Sequence, residues 1–175
     1  MYIGPTPPEG LRGGVIVPLE GKRWHVTLVG LAGDYPPTNE AGFLEFARSL
    51  PKPDLFEAIR SAQPLSRITG FRKNENRARR FEALPRYLEG LLVLGDAAYT
   101  MNPVYSLGMT AAAVSCQVLD EMLAQGSSAR AGLASAFQKE LTARISVLWH
   151  QAVQGDWMWP ETDISDNTET LYPVT

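Results

Sequence analysis

The sequence is poor in the residues that build disulfides and metal centres. Its 175 residues contain one cysteine, Cys116, and two histidines, His25 and His150. A single cysteine excludes an intramolecular disulfide, and no spacing of histidine, cysteine and acidic residues matches a metal site. This composition fits a reducing, cytoplasmic compartment. Cys116 stands among apolar residues of a predicted helix, which predicts a packed thiol rather than a redox-active one.

Long apolar runs and an excess of basic charge are also missing. No stretch of about 18 apolar residues is present, which argues against a membrane span. The N-terminus has no basic region followed by an apolar stretch, so we expect no secretory signal. The formal net charge of -3 argues against a nucleic-acid binder. The basic run between Arg72 and Arg80 is therefore expected to be a solvated face or an interdomain contact.

The first half of the chain carries clear secondary-structure patterns within a composition typical of globular proteins, 45% apolar and 20% charged. Residues 13–30 predict a β-hairpin with its turn at residues 20–22. Thr38 or Asn39 can cap a following helix, and Pro53 suits the start of a second short one. The core-facing residues of these two helices are Phe43, Phe46, Ala47, Leu50, Leu55, Phe56 and Ile59.

The second half predicts one strand and two helices. The unbroken apolar run at residues 91–94 predicts a strand buried on both faces, as in a parallel sheet. A helix is expected at 108–124, and Ser127 or Ser128 caps a last helix that carries Phe137, Leu141 and Ile145 in register. Residues 156–175 show no period and are expected to lie along the surface. The whole pattern predicts a mixed α/β or α+β fold.

Residues 91–113, which read LLVLGDAAYTMNPVYSLGMTAAA, are the most informative part of the chain. Asp96 follows the predicted strand, and Gly95 beside it lets a ligand approach the backbone, so Asp96 can accept a hydrogen bond from a sugar hydroxyl. Alternatively, Asp96 only caps a turn. Gly108 opens a helix whose free N–H groups and dipole favour an electron-rich ligand. Alternatively, the small residues there serve tight packing.

This order of residues resembles the second flavin-contacting motif of the FAD-dependent aromatic hydroxylases. The resemblance rests on Gly95-Asp96, Pro103 and Gly108, and it extends over most of the chain through the stretches VTLVGLAGDYPP, FLEFARSLP and EAIRSAQPLS. Asn102-Pro103-Val104-Tyr105 is similar to one branch of flavin monooxygenase-like proteins in bacteria and plants. Ser106 stands where the family usually has a second glycine, and Tyr99 where many members have histidine.

The resemblance implies a FAD- and NAD(P)H-dependent monooxygenase-like oxidoreductase acting on a small hydrophobic or aromatic substrate. It implies a substrate-domain portion at 1–86, the C-terminal part of a FAD-binding domain at 87–155, and a tail at 156–175. Gly95 and Asp96 would hold the ribityl chain of FAD, and Pro103 would lie near the flavin ring. Gly108, Met109 and Thr110 would face the pyrimidine edge. No residue is assigned as a catalytic acid or base.

The family begins with a Gly-x-Gly-x-x-Gly turn that these 175 residues lack. A lone parallel strand also cannot pair its edges without neighbours. We therefore expect the C-terminal half of a larger protein, completed by a missing N-terminal half or by a further copy in a homo-oligomer. Two alternatives are a truncated, inactive relative and a binding module that has lost the flavin. In each case the isolated chain is expected to bind FAD poorly.

Overall fold

A computed structural model describes residues 1–72, 75–124 and 132–163 of the chain. It contains both helices and sheets, which confirms the predicted mixed α+β class. The chain forms two compact units. Unit 1 comprises Met1–Arg72 with Met158–Thr162, and unit 2 comprises the described residues of Lys73–Trp157 with Asp163. This division falls between residues 72 and 73, whereas the sequence predicted a boundary after residue 86.

Unit 1 is an antiparallel sheet with two helices. Strands β1 (Tyr2–Ile3), β2 (Arg12–Leu19) and β3 (Arg23–Gly30) lie in that order. Val17 pairs with His25 in β2 and β3, as the predicted hairpin requires. Helices α1 (Glu40–Arg48) and α2 (Asp54–Ile59) follow, and both were predicted. Their buried side chains form one core with the sheet, comprising Ile3, Ile16, Leu28, Phe46, Ala47, Leu50, Leu55 and Ile59.

Unit 2 is built on two long helices. Helix α3 (Gly108–Ala124) has the predicted bounds, and helix α4 runs over Leu133–Asp156. A second sheet consists of two antiparallel strands, β4 (Arg77–Ala78) and β5 (Tyr99–Thr100). The core of unit 2 comprises Ala98, Tyr99, Met101, Ala111, Val118, Phe137, Leu141, Ile145 and Ala152. In the described residues, no helix has both the length and the apolar character needed to cross a membrane.

The predicted strand at 91–94 is wrong as an element, because these residues belong to no strand. Leu94 has an extended backbone, with φ −144° and ψ 170°. However, the N–H groups of Leu92, Val93 and Leu94 have no hydrogen-bond partner in the described part of the chain. Leu91 is 54% exposed, and the next three side chains are only half-buried against the core of unit 2. An apolar run has strand character, but a strand also needs a neighbour that accepts its N–H groups.

The prediction of a packed Cys116 is also wrong, because its side chain is exposed. On α3 the residues that face the core are Ala111, Ser115 and Val118. One residue further along a helix lies about 100° around its axis, which turns Cys116 away from that stripe. The predicted caps Ser127 and Ser128 lie outside the described residues, as do residues 164–175 of the predicted tail.

Candidate functional site

The Gly95–Ala97 segment forms a single 3₁₀ turn directly after the extended residue Leu94. Gly95 adopts φ +58°, a left-handed conformation that favours glycine. The turn directs the side chain of Asp96 to the surface. Its carboxylate makes no hydrogen bond to the described part of the chain. Asp96 is therefore an exposed acceptor that does not cap its own turn.

Three side chains from different segments hold this turn in place. Arg79, next to β4, donates from Nη1 to the carbonyl oxygens of Asp96 at 3.2 Å and Ala97 at 3.3 Å. Thr100 Oγ1 donates to the same Asp96 carbonyl at 3.0 Å. Ser115 Oγ on α3 accepts from the N–H of Gly95 at 3.4 Å. These bonds fix the backbone of Asp96 while leaving its carboxylate available.

The first turn of α3 lies beside this carboxylate. A Cβ placed on Gly108 would stand 3.8 Å from Asp96 Oδ1, an ordinary contact distance, so the two residues are direct neighbours. The N–H groups of Gly108, Met109 and Thr110 have no partner among the described residues, while Ala111 donates to the carbonyl of Leu107. Free N–H groups at a helix N-terminus attract electron-rich atoms. A free carboxylate and free amides thus stand next to each other.

Pro103 is exposed and lies in the 3₁₀ turn Pro103–Tyr105, which leads into α3. Asn102 caps this turn by accepting from the N–H of Val104 at 3.1 Å. Ser106 ends it with φ +55° and ψ +26°, in the left-handed region. The position where the resembling family usually has glycine therefore adopts a glycine-like backbone in this chain.

The structure therefore brings most of the predicted site residues together. Asp96 lies beside Gly108, and Gly95 lies beside Ala112 of the same helix. Met109 and Thr110 are exposed on the first turn of that helix. Sequence reasoning missed Arg79, Thr100 and Ser115, which hold the Gly95–Ala97 turn. Arg79 lies in the basic run that the sequence predicted to be a solvated face or an interdomain contact. No spacing rule could have found its bonds to carbonyl groups 17 and 18 residues away.

No metal site accompanies this cluster in residues 1–72, 75–124 and 132–163, where no group of three or more His, Cys, Asp or Glu side chains could hold an ion.

The comparisons with known proteins add one distant similarity. No protein-family model matches the chain. It is 28% identical over 138 residues to Protein Rv3254 of Mycobacterium tuberculosis (strain ATCC 25618 / H37Rv). That match covers 78% of this chain but only 29% of the relative, whose name states no activity. The chain thus spans less than a third of the length of this relative.

Proposed function

We propose that this chain is the flavin-facing, C-terminal portion of a FAD-dependent monooxygenase-like oxidoreductase. Its substrate would be a small hydrophobic or aromatic molecule, and NAD(P)H would be the reductant. A cytoplasmic location belongs to the same proposal. The proposal rests on the resemblance of residues 91–113 to a flavin-contacting motif, together with the geometry of that segment.

The observation that carries the proposal is the unpaired Asp96 carboxylate beside the unpaired amides of Gly108, Met109 and Thr110. The polyol and ring of a flavin offer the complementary groups. A ribityl hydroxyl can donate to the carboxylate, and the carbonyl oxygens of the pyrimidine edge can accept from the helix N–H groups. Position 108 is glycine, so this residue has no side chain that would crowd the approach.

These residues fit the riboflavin part of FAD but not its ADP part. The sequence has no Gly-x-Gly-x-x-Gly turn to receive the pyrophosphate. When bound, the flavin would supply the redox chemistry, and the chain would bind it, orient it and shield it. Asp96 would fix the ribityl chain, Gly95 would allow close approach, and Pro103 would flank the ring. The dipole of α3 would stabilise negative charge on the pyrimidine side.

The unpaired N–H groups of Leu92, Val93 and Leu94 support the view that the functional protein contains further polypeptide. Buried backbone donors are nearly always paired, and the side chains of these three residues pack against the core of unit 2. A strand supplied by a missing N-terminal half would pair them. The distant relative, which extends far beyond the matched residues, agrees with this view.

The Asp96 assignment is tested by titrating the chain with flavin mononucleotide, FMN, and following the amide resonances of Gly108, Met109 and Thr110 by NMR. Wild-type amides should shift with added FMN. Asp96→Ala should weaken FMN binding by about 10- to 150-fold, because a hydrogen bond to a charged acceptor contributes roughly 1.5–3 kcal/mol.

The matched control is Asp120→Ala, which removes an exposed carboxylate that lies on α3, away from the Gly95–Ala97 turn. It should leave FMN binding unchanged. Equal binding by wild type and Asp96→Ala would remove Asp96 from the site. An absence of any FMN-induced shift in the wild-type chain would contradict the proposed function.

A further inference from the structure

Three side chains from two segments that are distant in sequence donate hydrogen bonds to one carboxylate, that of Asp156 at the end of α4. Asn76, just before β4, donates from Nδ2 to Asp156 Oδ2 at 2.5 Å. Asn102 donates from Nδ2 to Oδ1 at 3.2 Å. The hydroxyl of Tyr105 donates to the same Oδ1 at 2.7 Å. All three donors lie in unit 2, and two of them belong to the loop that leads into α3.

The side chains on this carboxylate also hold the backbone of that loop. Asn76 Oδ1 accepts from the N–H of Asn102 at 2.8 Å, and Asn102 Oδ1 accepts from the N–H of Val104 at 3.1 Å. Asn102 is only 6% exposed. Because its Nδ2 must face Asp156, its Oδ1 is turned toward Val104. The carboxylate therefore sets the orientation of the amide that caps the turn.

The aromatic ring of Tyr105 is held by packing as well. A Cβ on Gly155 would lie 2.5 Å from Tyr105 Cε1 and 2.6 Å from Cζ, far inside contact distance. The ring thus rests directly on the backbone of α4. A carboxylate suits the neighbouring position, because Asn76, Asn102 and Tyr105 each direct a donor at it and a carboxylate only accepts.

We propose that Asp156 is a positioning residue of the candidate flavin site. It holds the loop over Asn102–Tyr105 against α4, and this loop passes through Ser106 directly into the first turn of α3. The inference rests on the proposed function in one respect, namely that the amides of that first turn face the flavin. Asp156 itself touches no ligand in this account.

The test compares Asp156→Ala, Asp156→Asn and wild type in two measurements. Amide hydrogen exchange at Asn102 and Val104 reports on the loop, and FMN titration followed at Gly108 and Thr110 reports on the site. Asp156→Ala should raise both exchange rates at least about tenfold and weaken FMN binding several-fold. Asp156→Asn should rescue part of each effect, because its amide oxygen still accepts one hydrogen bond.

The matched control is Ile145→Val, which removes one methylene group from the fully buried core face of α4. It should lower the melting temperature without changing loop exchange or FMN binding, which separates positioning from general stability. If Asp156→Ala does not fold, the same two measurements are made on Asp156→Asn and on Gly155→Ala. The added Cβ of Gly155→Ala displaces the Tyr105 ring from α4.

Each outcome decides one claim. Unchanged amide exchange rates at Asn102 and Val104 in the Asp156 variants would overturn the positioning role, whether or not FMN binding changes. Faster exchange with unchanged FMN binding would overturn it while leaving the proposed function intact. If wild-type amides do not respond to FMN, the proposed function fails and the positioning role fails with it.

Discussion

Ser106 carries backbone strain at the entrance to α3. A left-handed conformation costs a residue with a Cβ roughly 1–2 kcal/mol, and glycine avoids this cost. Glycine in turn loses roughly 0.5–1 kcal/mol more backbone entropy on folding. We therefore expect Ser106→Gly to raise the free energy of unfolding by about 0.5–1 kcal/mol, measured by urea denaturation.

Ser106→Ala is the matched control, because alanine keeps the Cβ and gains none of this relief. A stability gain of equal size in both variants would show that strain at φ +55° is not the cause.

At the scale of single residues, the sequence predicted those features of the site that depend only on the order of neighbouring residues. The positions of Gly95, Asp96 and Gly108 around a strand-like run were enough to predict an exposed acid beside a helix start. The hydrogen bonds that fix this arrangement were not predictable. Arg79 and Ser115 reach the Gly95–Ala97 turn from 17 to 20 residues away, and only the folded chain brings them there.

At the scale of elements, one ion pair joins three parts of unit 1. Arg12 on β2 donates from Nε and Nη2 to the two carboxylate oxygens of Asp34 at 2.5 and 2.8 Å. Its Nη1 reaches Ser49 Oγ, just after α1, at 2.6 Å. The hydrogen bond from Arg12 is the largest cause that holds the pKa of Asp34 below its usual value, against the opposing effect of desolvation.

This ion pair predicts a loss of stability in acid. A carboxyl whose pKa is lower in the folded state than in the unfolded one stabilises the fold above its unfolded pKa, about 3.9. That contribution is lost as the pH falls through the folded pKa. Because the side chains of Arg12 and Asp34 are 37% and 33% exposed, we expect only about 0.5–1 kcal/mol.

Urea denaturation at pH 7 and at pH 3 measures this term. Asp34→Asn should reduce the difference between the two pH values by that amount. Glu45→Gln, which breaks a more exposed ion pair with Arg48, should leave the difference unchanged. An equal effect of both substitutions would argue against a special role for Asp34.

The unpaired N–H groups of Leu92, Val93 and Leu94 give the second prediction at this scale. Because their N–H groups have no partner among the described residues, their amides should exchange at least about 100-fold faster than that of Ile145 in α4. Amide hydrogen exchange followed by NMR measures these rates. Slow exchange at Leu92, Val93 and Leu94 in the isolated chain would show that they are already paired, and would remove the argument for a missing strand.

Elements with a strong period were well predicted from sequence. The hairpin, α1, α2 and α3 follow from alternation, caps and apolar stripes that each element carries itself. The strand at 91–94 failed for a physical reason. Its side chains have the right character, but strand formation depends on a neighbouring backbone, and no pattern within four residues shows whether one is present.

At the scale of the whole molecule, two separate cores divide the chain at residue 72, and the candidate site belongs entirely to unit 2. The sequence predicted a mixed fold in two portions but put the boundary 14 residues later. Residues 75–86 show why, because the structure gives them only the two-residue strand β4 and the short turn Phe81–Ala83. The amino-acid composition of such a segment does not show whether it belongs to unit 1 or to unit 2.

The central proposal is that this chain carries contacts for the riboflavin part of FAD and lacks the Gly-x-Gly-x-x-Gly turn that would receive its ADP part. The most direct measurement compares the dissociation constants of FMN and FAD for the isolated wild-type chain, both followed at the amides of Gly108, Met109 and Thr110. We expect both ligands to bind weakly and with affinities equal to within about threefold. FAD binding more than about tenfold tighter than FMN, or a failure of both ligands to move these three amides, would contradict the account.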